Sequence, residues 1–397
     1  MSKDAKNVPA LRFKGYSDAW EKRKLREITE INPKGKIPEV FRYVDLESVK
    51  NSSIISSKIE TKQTAPSRAQ RTAEIGDVFY QTVRPYQKNN VIFLLHSSMP
   101  YVFSTGYAQL RSNMNSFFIL YLVQTDGFVN DVLNRATGTS YPAINPTHLA
   151  TIIVCFPKIV SEQNRIGQVL EHLDNLITAT QNKIDALEQV KETLSKNLFD
   201  QLWRFKEYST SWKENKLKDI VSAYSGGTPS ANIRTYYGGH IPFIRSAEIH
   251  SSTTALTLTQ EGLKNSSAKL VKTGDILYAL YGANSGDVDR SKINGAINQA
   301  ILAMRPSKEN DSNFILFQLM RMKNKIVSTY LQGGQGNLSG RIILALNLDM
   351  PESTSEQRTI GRSLQLLCEL ISINQSKYSQ LESLKKISTS KSFRLKQ

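Results

Sequence analysis

"SEQNRIGQVLEHLDNLI", Ser161 to Ile177, returns as "SEQRTIGRSLQLLCELI", Ser355 to Ile371, 194 positions later. Each copy follows a proline, Pro157 or Pro351, and opens a stretch whose apolar residues recur at alternating steps of four and three. That step is the heptad signature of helices packed along a seam. The first seam runs Ile166, Leu170, Leu173, Ile177, Thr180, Ile184, Leu187, Lys191, Leu194 and Leu198. The second runs Ile360, Leu364, Leu367, Ile371, Asn374, Tyr378, Leu381, Lys385, Ser388 and Ser392, and its last turns are weaker. The polar interruptions coincide, Thr180 with Asn374 and Lys191 with Lys385, and polar seam residues fix register at some cost in stability. A helix of about 40 residues is roughly 60 Å long, too long for one small head to cover. The two helices are therefore expected to cover each other as an antiparallel coiled coil. Ser161 and Ser355 are expected to be N-caps with an acidic first turn. Capping does not explain Gln163, Gly167, Gln357 and Gly361, since a helical glycine costs about 1 kcal/mol relative to alanine. These four are the candidates for a partner interface.

The repetition reaches further. "FKGYSDAWEKRKLREI" from Phe13 returns as "FKEYSTSWKENKLKDI" from Phe205, and "IGDVFYQTVRPY" from Ile75 as "TGDILYALYGAN" from Thr273. Short apolar runs such as "DVFYQTV", "NVIFLL", "ATIIVCF", "IPFI" and "DILYALY" are bounded by Gly, Pro, Asn and Ser, which reads as strand and turn. "NSFFILYLVQ" and "NFILFQLMRMKNKIV" read as helices. The expected fold is α+β: two globular mixed α/β heads, 1–158 and 205–352, separated by two long helices, 159–204 and 353–397, as a pseudo-two-fold internal repeat.

A chain of 397 residues accommodates such a duplication. Lys and Arg number 51 against 35 Asp and Glu, a formal charge of +16, and these are dispersed through both halves. That balance seeks a polyanion, nucleic acid foremost, through folded surfaces. No stretch approaches the roughly 20 apolar residues of a membrane span, and "MSKDAKNVPALRFKGYSDAW" lacks the apolar core of a secretion signal, so a cytoplasmic location is expected. Cys155 and Cys368 are too few and too separated for a zinc site or disulfide framework and read as buried, reduced thiols.

Signatures of catalysis are missing. No G-x-x-x-x-G-K-[ST] loop is present, and His96, His148, His172, His240 and His250 stand apart from any ligand cluster. "INPTH", Ile144 to His148, resembles the Asn-Pro-Pro-aromatic loop of amino methyltransferases only faintly, since the second proline and the ring that stacks on a flipped base are absent. No active site and no metal are expected in this chain. A self-contained enzyme acting on nucleic acid is disfavoured on these grounds. A structural coiled-coil scaffold would differ in showing no salt-sensitive, sequence-dependent DNA binding.

The doubled W-x-x-x-K-L-x-[ED]-I (Trp20 to Ile28, Trp212 to Ile220) and the doubled proline-then-S-E-Q helix resemble the specificity subunit of type I restriction-modification enzymes. "SGGTPS", Ser225 to Ser230, is similar to the start of such domains, while the first copy has "INPKGKIP" there. The resemblance implies two target recognition domains, each reading half of a split sequence in double-stranded DNA. It implies helices that set the gap and dock two modification subunits, which methylate adenine with S-adenosylmethionine. Restriction subunits, translocase-nucleases using ATP and Mg, would complete the enzyme, and this chain would not be catalytic on its own.

DNA contacts are sought where basic and amide side chains sit beside aromatics on turns. The first head offers Arg68, Arg71, Arg84, Tyr86, Gln87, Lys88 and Asn89, with Tyr141 and Asn145 in "TGTSYPAIN". The second offers Arg234, Tyr236, Tyr237, His240, Tyr281 and Asn284, with Gln335, Asn337 and Arg341 in "QGGQGNLSGR".

Overall fold

The structure is a computed structural model that describes residues 8–331 and 337–393. It comprises two compact units, one built from the chain up to Asn182 together with the segment from Gln375 onward, the other from Lys183–Asn374.

In the first unit, Lys58–Thr61, Val40–Val44, Tyr101–Ser104 and Ala69–Thr72 form one four-stranded sheet, with Tyr101–Ser104 parallel to Val40–Val44 and antiparallel to Ala69–Thr72. Glu30–Ile31, Tyr107–Arg111, Val78–Gln81 and Val91–Ile92 form a second, antiparallel one. The second unit repeats this plan. Thr257–Leu258, Tyr237–Ile244, Gly295–Ile297 and Lys269–Val271 form the mixed sheet; Val221–Ser225, Ile301–Pro306, Ile276–Ala279 and Val288–Arg290 form the antiparallel one. In both, the turn into the central antiparallel strand carries a glycine at positive φ, Gly76 (94°) and Gly274 (95°), a conformation L side chains rarely adopt. The following aspartate is buried and answered by an arginine from the neighbouring strand: Arg111 donates to Asp77 at 2.8 Å twice, and Arg305 to Asp275 at 2.8 and 2.6 Å. The equivalent turns are thus locked by the same ion pair.

The expected helices form, α1 over Ser116–Gln124, α2 over Val160–Phe199, α3 over Ser312–Leu331 and α4 over Thr354–Phe393. Every seam position named above is buried or half-buried. Inside the second unit, Ile360 and Leu364 at the start of α4 share a core with Leu194 and Leu198 near the end of α2. Inside the first, Lys385 late in α4 pairs with Asp174 early in α2 at 2.5 Å, and Phe393 packs on Trp20 with ring centroids 6.2 Å apart. Within each unit, therefore, the helices run antiparallel. Thr180 and Asn374 are buried, and each donates to the carbonyl four residues back on its own helix, Leu176 and Leu370, at 2.7 Å. The seam thereby tolerates them without an unsatisfied donor. Ser388 and Ser392 stand where α2 has Leu194 and Leu198, and a cavity of about 160 Å³ opens beside them, lined also by Phe13, Ile166 and Leu170.

The duplicated phrase has a different explanation from the expected partner interface. Gln163 and Gln357 are buried and donate through Nε2 to the carbonyls of Pro157 and Pro351, each at 2.8 Å. A Cβ on Gly167 would sit 2.4 Å from Asn115 Oδ1, and one on Gly361 2.5 Å from Asp311 Oδ1. Asn115 and Asp311 cap the helices α1 and α3, accepting from Phe118 N (3.0 Å) and Phe314 N (2.9 Å). The glycines let each long helix approach a capped helix end of its own head. All four residues belong to the interior of their units and are withdrawn as candidates for partner docking.

The glutamate of the phrase does the same work. Glu162 is 0 % exposed and accepts two bonds from Arg12, both 2.8 Å, and one from Trp20 Nε1 at 3.4 Å. Glu356 accepts from Arg204 at 2.8 and 2.9 Å and from Trp212 Nε1 at 3.1 Å. The bond to Glu356 raises the pKa of Arg204. The stretches opening at Arg12 and Arg204 therefore meet the duplicated Ser-Glu-Gln phrases in an Arg–Glu–Trp latch, buried in the first unit and partly exposed in the second. Ser161 and Ser355 lie inside the first turn instead of capping it, and bond Tyr16 and Tyr208 at 3.2 and 3.0 Å. Ser353 takes the capping place on α4, its Oγ accepting from Glu356 N at 3.4 Å.

Candidate nucleic-acid interface

Candidates far apart in the sequence converge in the first unit. The stretch after Val78–Gln81 turns over a short 3-10 segment, Pro85–Gln87, flanked by Arg84 and Lys88, both left-handed with φ of 53° and 54°. Tyr141 comes from the other loop and lies under the Arg84 guanidinium, 4.1 Å from ring centroid to Cζ. Backbone bonds join the loops: Arg84 N donates to Pro142 O at 2.7 Å and Ile144 N to Thr82 O at 3.0 Å. Tyr86, Gln87 and Tyr141 are exposed. Lys88 is engaged with Asp126 at 2.6 Å, and that bond holds the Asp126 carboxyl below the usual range. Asn145 is exposed, but its Oδ1 is occupied as a cap by Thr147 N at 2.8 Å.

Beneath this turn lies a residue the sequence reading passed over. Gln81 is 2 % exposed, donates to Val83 O at 2.7 Å and to Gln87 Oε1 at 2.9 Å, and its own N–H is accepted by buried Asn90 at 2.8 Å. Its signal was a glutamine in a strand whose repeat partner carries Ala279.

The second unit joins the equivalent loops through the same bond, Leu338 N to Leu280 O at 3.0 Å. Tyr281 and Asn284 on one loop are half-buried, while Asn337 and Arg341 on the other are exposed; Gln335 lies outside the described residues. Tyr281 packs against the core, so only part of it is available. A separate group sits on the mixed sheets. Arg234 and His240 are exposed beside half-buried Tyr236 and Tyr237, whose hydroxyl donates to Pro229 O at 2.6 Å. In the first unit Arg68 is exposed at the entry to Ala69–Thr72, and Arg71 is half-buried with its pKa lowered by burial.

The long helices carry an unforeseen second apolar face. In the second unit Leu366, Leu370 and Ile373 of α4 and Val190 of α2 are exposed, Ile373 to 66 %. In the first unit the same is true of Leu384 and Ile387 of α4 and of Val169 and Leu176 of α2. The α4 residues keep the four-and-three step of the buried seam, displaced by one residue, so this is an outer stripe at coiled-coil spacing.

Among the described residues no three His, Cys, Asp or Glu converge as a metal site, and no helix is long and apolar enough to cross a membrane. Cys155 and Cys368 are free and half-buried, and burial pushes both thiols up.

The type I restriction modification DNA specificity domain matches the chain twice, over residues 17–189 and 210–383. A Methanocaldococcus jannaschii chain described as the MjaX type I restriction enzyme specificity subunit is 23 % identical over 400 residues, spanning 92 % of this chain and 91 % of its own. The HindI specificity subunit of Haemophilus influenzae is 20 % identical over 375 residues, covering 75 % of this chain and 81 % of that one. In fold, the crystal structure of a type I restriction-modification S subunit from M. genitalium superposes with a TM-score of 0.69 at 14 % identity, covering 98 % of this chain and 99 % of that one. Twice-repeated heads, latched alike to long helices and matched along nearly their whole length, identify the chain as a member of the type I restriction-modification specificity subunit family.

Proposed function

We propose that each head reads one half of a bipartite target in double-stranded DNA, that the helices set the unread gap, and that two modification subunits dock on the chain. The observation carrying this is the loop pair repeated in both heads: one backbone junction, Ile144 to Thr82 and Leu338 to Leu280, presenting different side chains. A common scaffold with unlike reading surfaces is what two unlike half-sites require. The charge of +16 supplies the attraction to phosphate. The outer stripe of Leu366, Leu370 and Ile373, with Leu384 and Ile387, suits helices of the modification subunits. Methylation of adenine with S-adenosylmethionine belongs to those subunits, and ATP and Mg to the translocase-nuclease subunits. The chain itself positions them. The target recognition domains of this reading are residues 1–158 and 205–352, and its spacer helices are Val160–Phe199 and Thr354–Phe393.

The test is methylated-adenine mapping of cells carrying the complete enzyme. One heptad inserted after Thr180 and one after Asn374 keeps both seams in step and adds about 10 Å of helix. The unread gap is expected to grow by at most about three base pairs at 3.4 Å each, with both half-sites unchanged. Altered half-sites with an unchanged gap would overturn the ruler. Replacing residues 20–158 with another member's domain is expected to change one half-site only.

A further inference from the structure

Building on that reading, we infer that Gln87 is a base-reading side chain of the first head and that buried Gln81 orients it, so that the head offers paired amide donors to a guanine.

The orientation follows from hydrogen-bond logic. The Val83 carbonyl can only accept, so the Gln81 atom 2.7 Å from it is the amide nitrogen. The other N–H of that nitrogen is directed at Gln87, 2.9 Å away, so the Gln87 atom there is the acceptor oxygen. Gln81 cannot rotate to reverse this without placing its oxygen against Val83 O. The NH₂ of exposed Gln87 is therefore turned away from the protein. Guanine presents two adjacent acceptors, N7 and O6, in the major groove. Adenine presents N7 beside an N6 donor and needs the glutamine oxygen facing the base edge next to its nitrogen, whereas here that oxygen faces buried Gln81.

The turn that carries Gln87 is held firmly. Arg84 and Lys88 occupy left-handed conformations, at φ of 53° and 54°, that cost side-chain-bearing residues energy. Such conformations persist where surroundings over-determine them, and they gather at ligand sites. Here the surroundings are the Arg84–Tyr141 stack, the Pro142 carbonyl and the Lys88–Asp126 pair. In the second unit the corresponding loop meets positive φ with Gly282 and Gly286 instead, and Ala279 replaces Gln81. The relay is confined to the first head, as a half-site-specific device should be.

The experiment is methylated-adenine mapping with the full chain in its complete enzyme, comparing wild type, Gln87→Glu and Gln81→Met. The first head's half-site is the one that changes when residues 20–158 are exchanged. It is expected to contain a guanine. A glutamate has no donor, so Gln87→Glu should lower methylation of wild-type sites roughly tenfold or more. It should also move preference at that one position toward cytosine, whose N4 amine donates to a carboxylate. Gln81→Met should relax guanine against adenine at the same position and leave the other half-site and the gap untouched, which a merely structural residue would not do. A wild type with no bipartite motif removes the functional reading and this inference with it. A bipartite wild type in which Gln87→Glu leaves every position unchanged, or alters a position other than a guanine, refutes the inference and leaves that reading standing. Gln87 is at the surface, so this variant decides even if Gln81→Met fails to fold.

Discussion

Replacing Arg12 with methionine should destabilise the first unit far more than loss of a surface charge would. The guanidinium is 9 % exposed and the Glu162 carboxylate 0 %, with two 2.8 Å bonds between them. Removing the arginine leaves a buried carboxylate with one weak donor, Trp20 Nε1 at 3.4 Å. Breaking a buried pair from one side costs about 3–5 kcal/mol. Replacing both members, Arg12→Met with Glu162→Leu, removes the stranded charge and should recover most of that loss. Arg204 is 22 % exposed, so Arg204→Met should cost less. Urea titration gives the total, and hydrogen exchange read by mass spectrometry localises it to peptides covering residues 8–24 and 160–176. A cost below about 1 kcal/mol for Arg12→Met, or a double variant no more stable than the single, would refute the latch, since a surface pair is worth that little.

Gly361→Ala should be destabilising although alanine is the better helix former, because its Cβ would meet Asp311 Oδ1 at 2.5 Å and Phe314 N at 2.8 Å. Overpacking costs about 1–3 kcal/mol, readable as a lowered thermal midpoint. Asp275→Asn should weaken the second unit at neutral pH. Burial raises the Asp275 pKa, but bonds from Arg305 and Lys272 N together with nearby positive charge outweigh it, so the net shift is downward. The contribution is present above the unfolded value of about 3.9 and is lost as pH falls through the lower folded value, so wild-type and variant stabilities should converge in acid. Ile373→Asp should leave the chain's own stability nearly unchanged, because the side chain is 66 % exposed. It should abolish co-purification of modification subunits, and retention of both would count against the outer stripe as their docking face.

The seam was legible because its period is local: a single helix reveals which face is covered, and Thr180 and Asn374 could be placed in it before their partners were known. α1 and α3 were legible for the same reason. The apolar run "NVIFLL" extends beyond the two residues Val91–Ile92 that pair, and Leu94 and Leu95 are exposed. An apolar run does not say where a sheet stops recruiting it. Glu162 and Arg12 were invisible as partners because they are 150 positions apart, and charged residues are ordinarily read as surface. Gln163 and Gly167 call for more than a cap, yet sequence alone does not say that the approaching neighbour is their own head. The convergence of Arg84 with Tyr141 likewise depends on strand order, which turn composition does not encode.

The first unit is completed by residues from Gln375 onward, whereas most of its own chain ends at Asn182. During synthesis its stretch of α2 must therefore wait, apolar face uncovered, while nearly two hundred further residues are translated. At about 5–20 residues per second that delay is on the order of ten seconds or more. The second unit's stretch of α2 waits as well, since Leu194 and Leu198 meet Ile360 and Leu364 only once the start of α4 is made, but that unit is complete by Asn374. Premature-termination sensitivity should accordingly fall on the head that is made first.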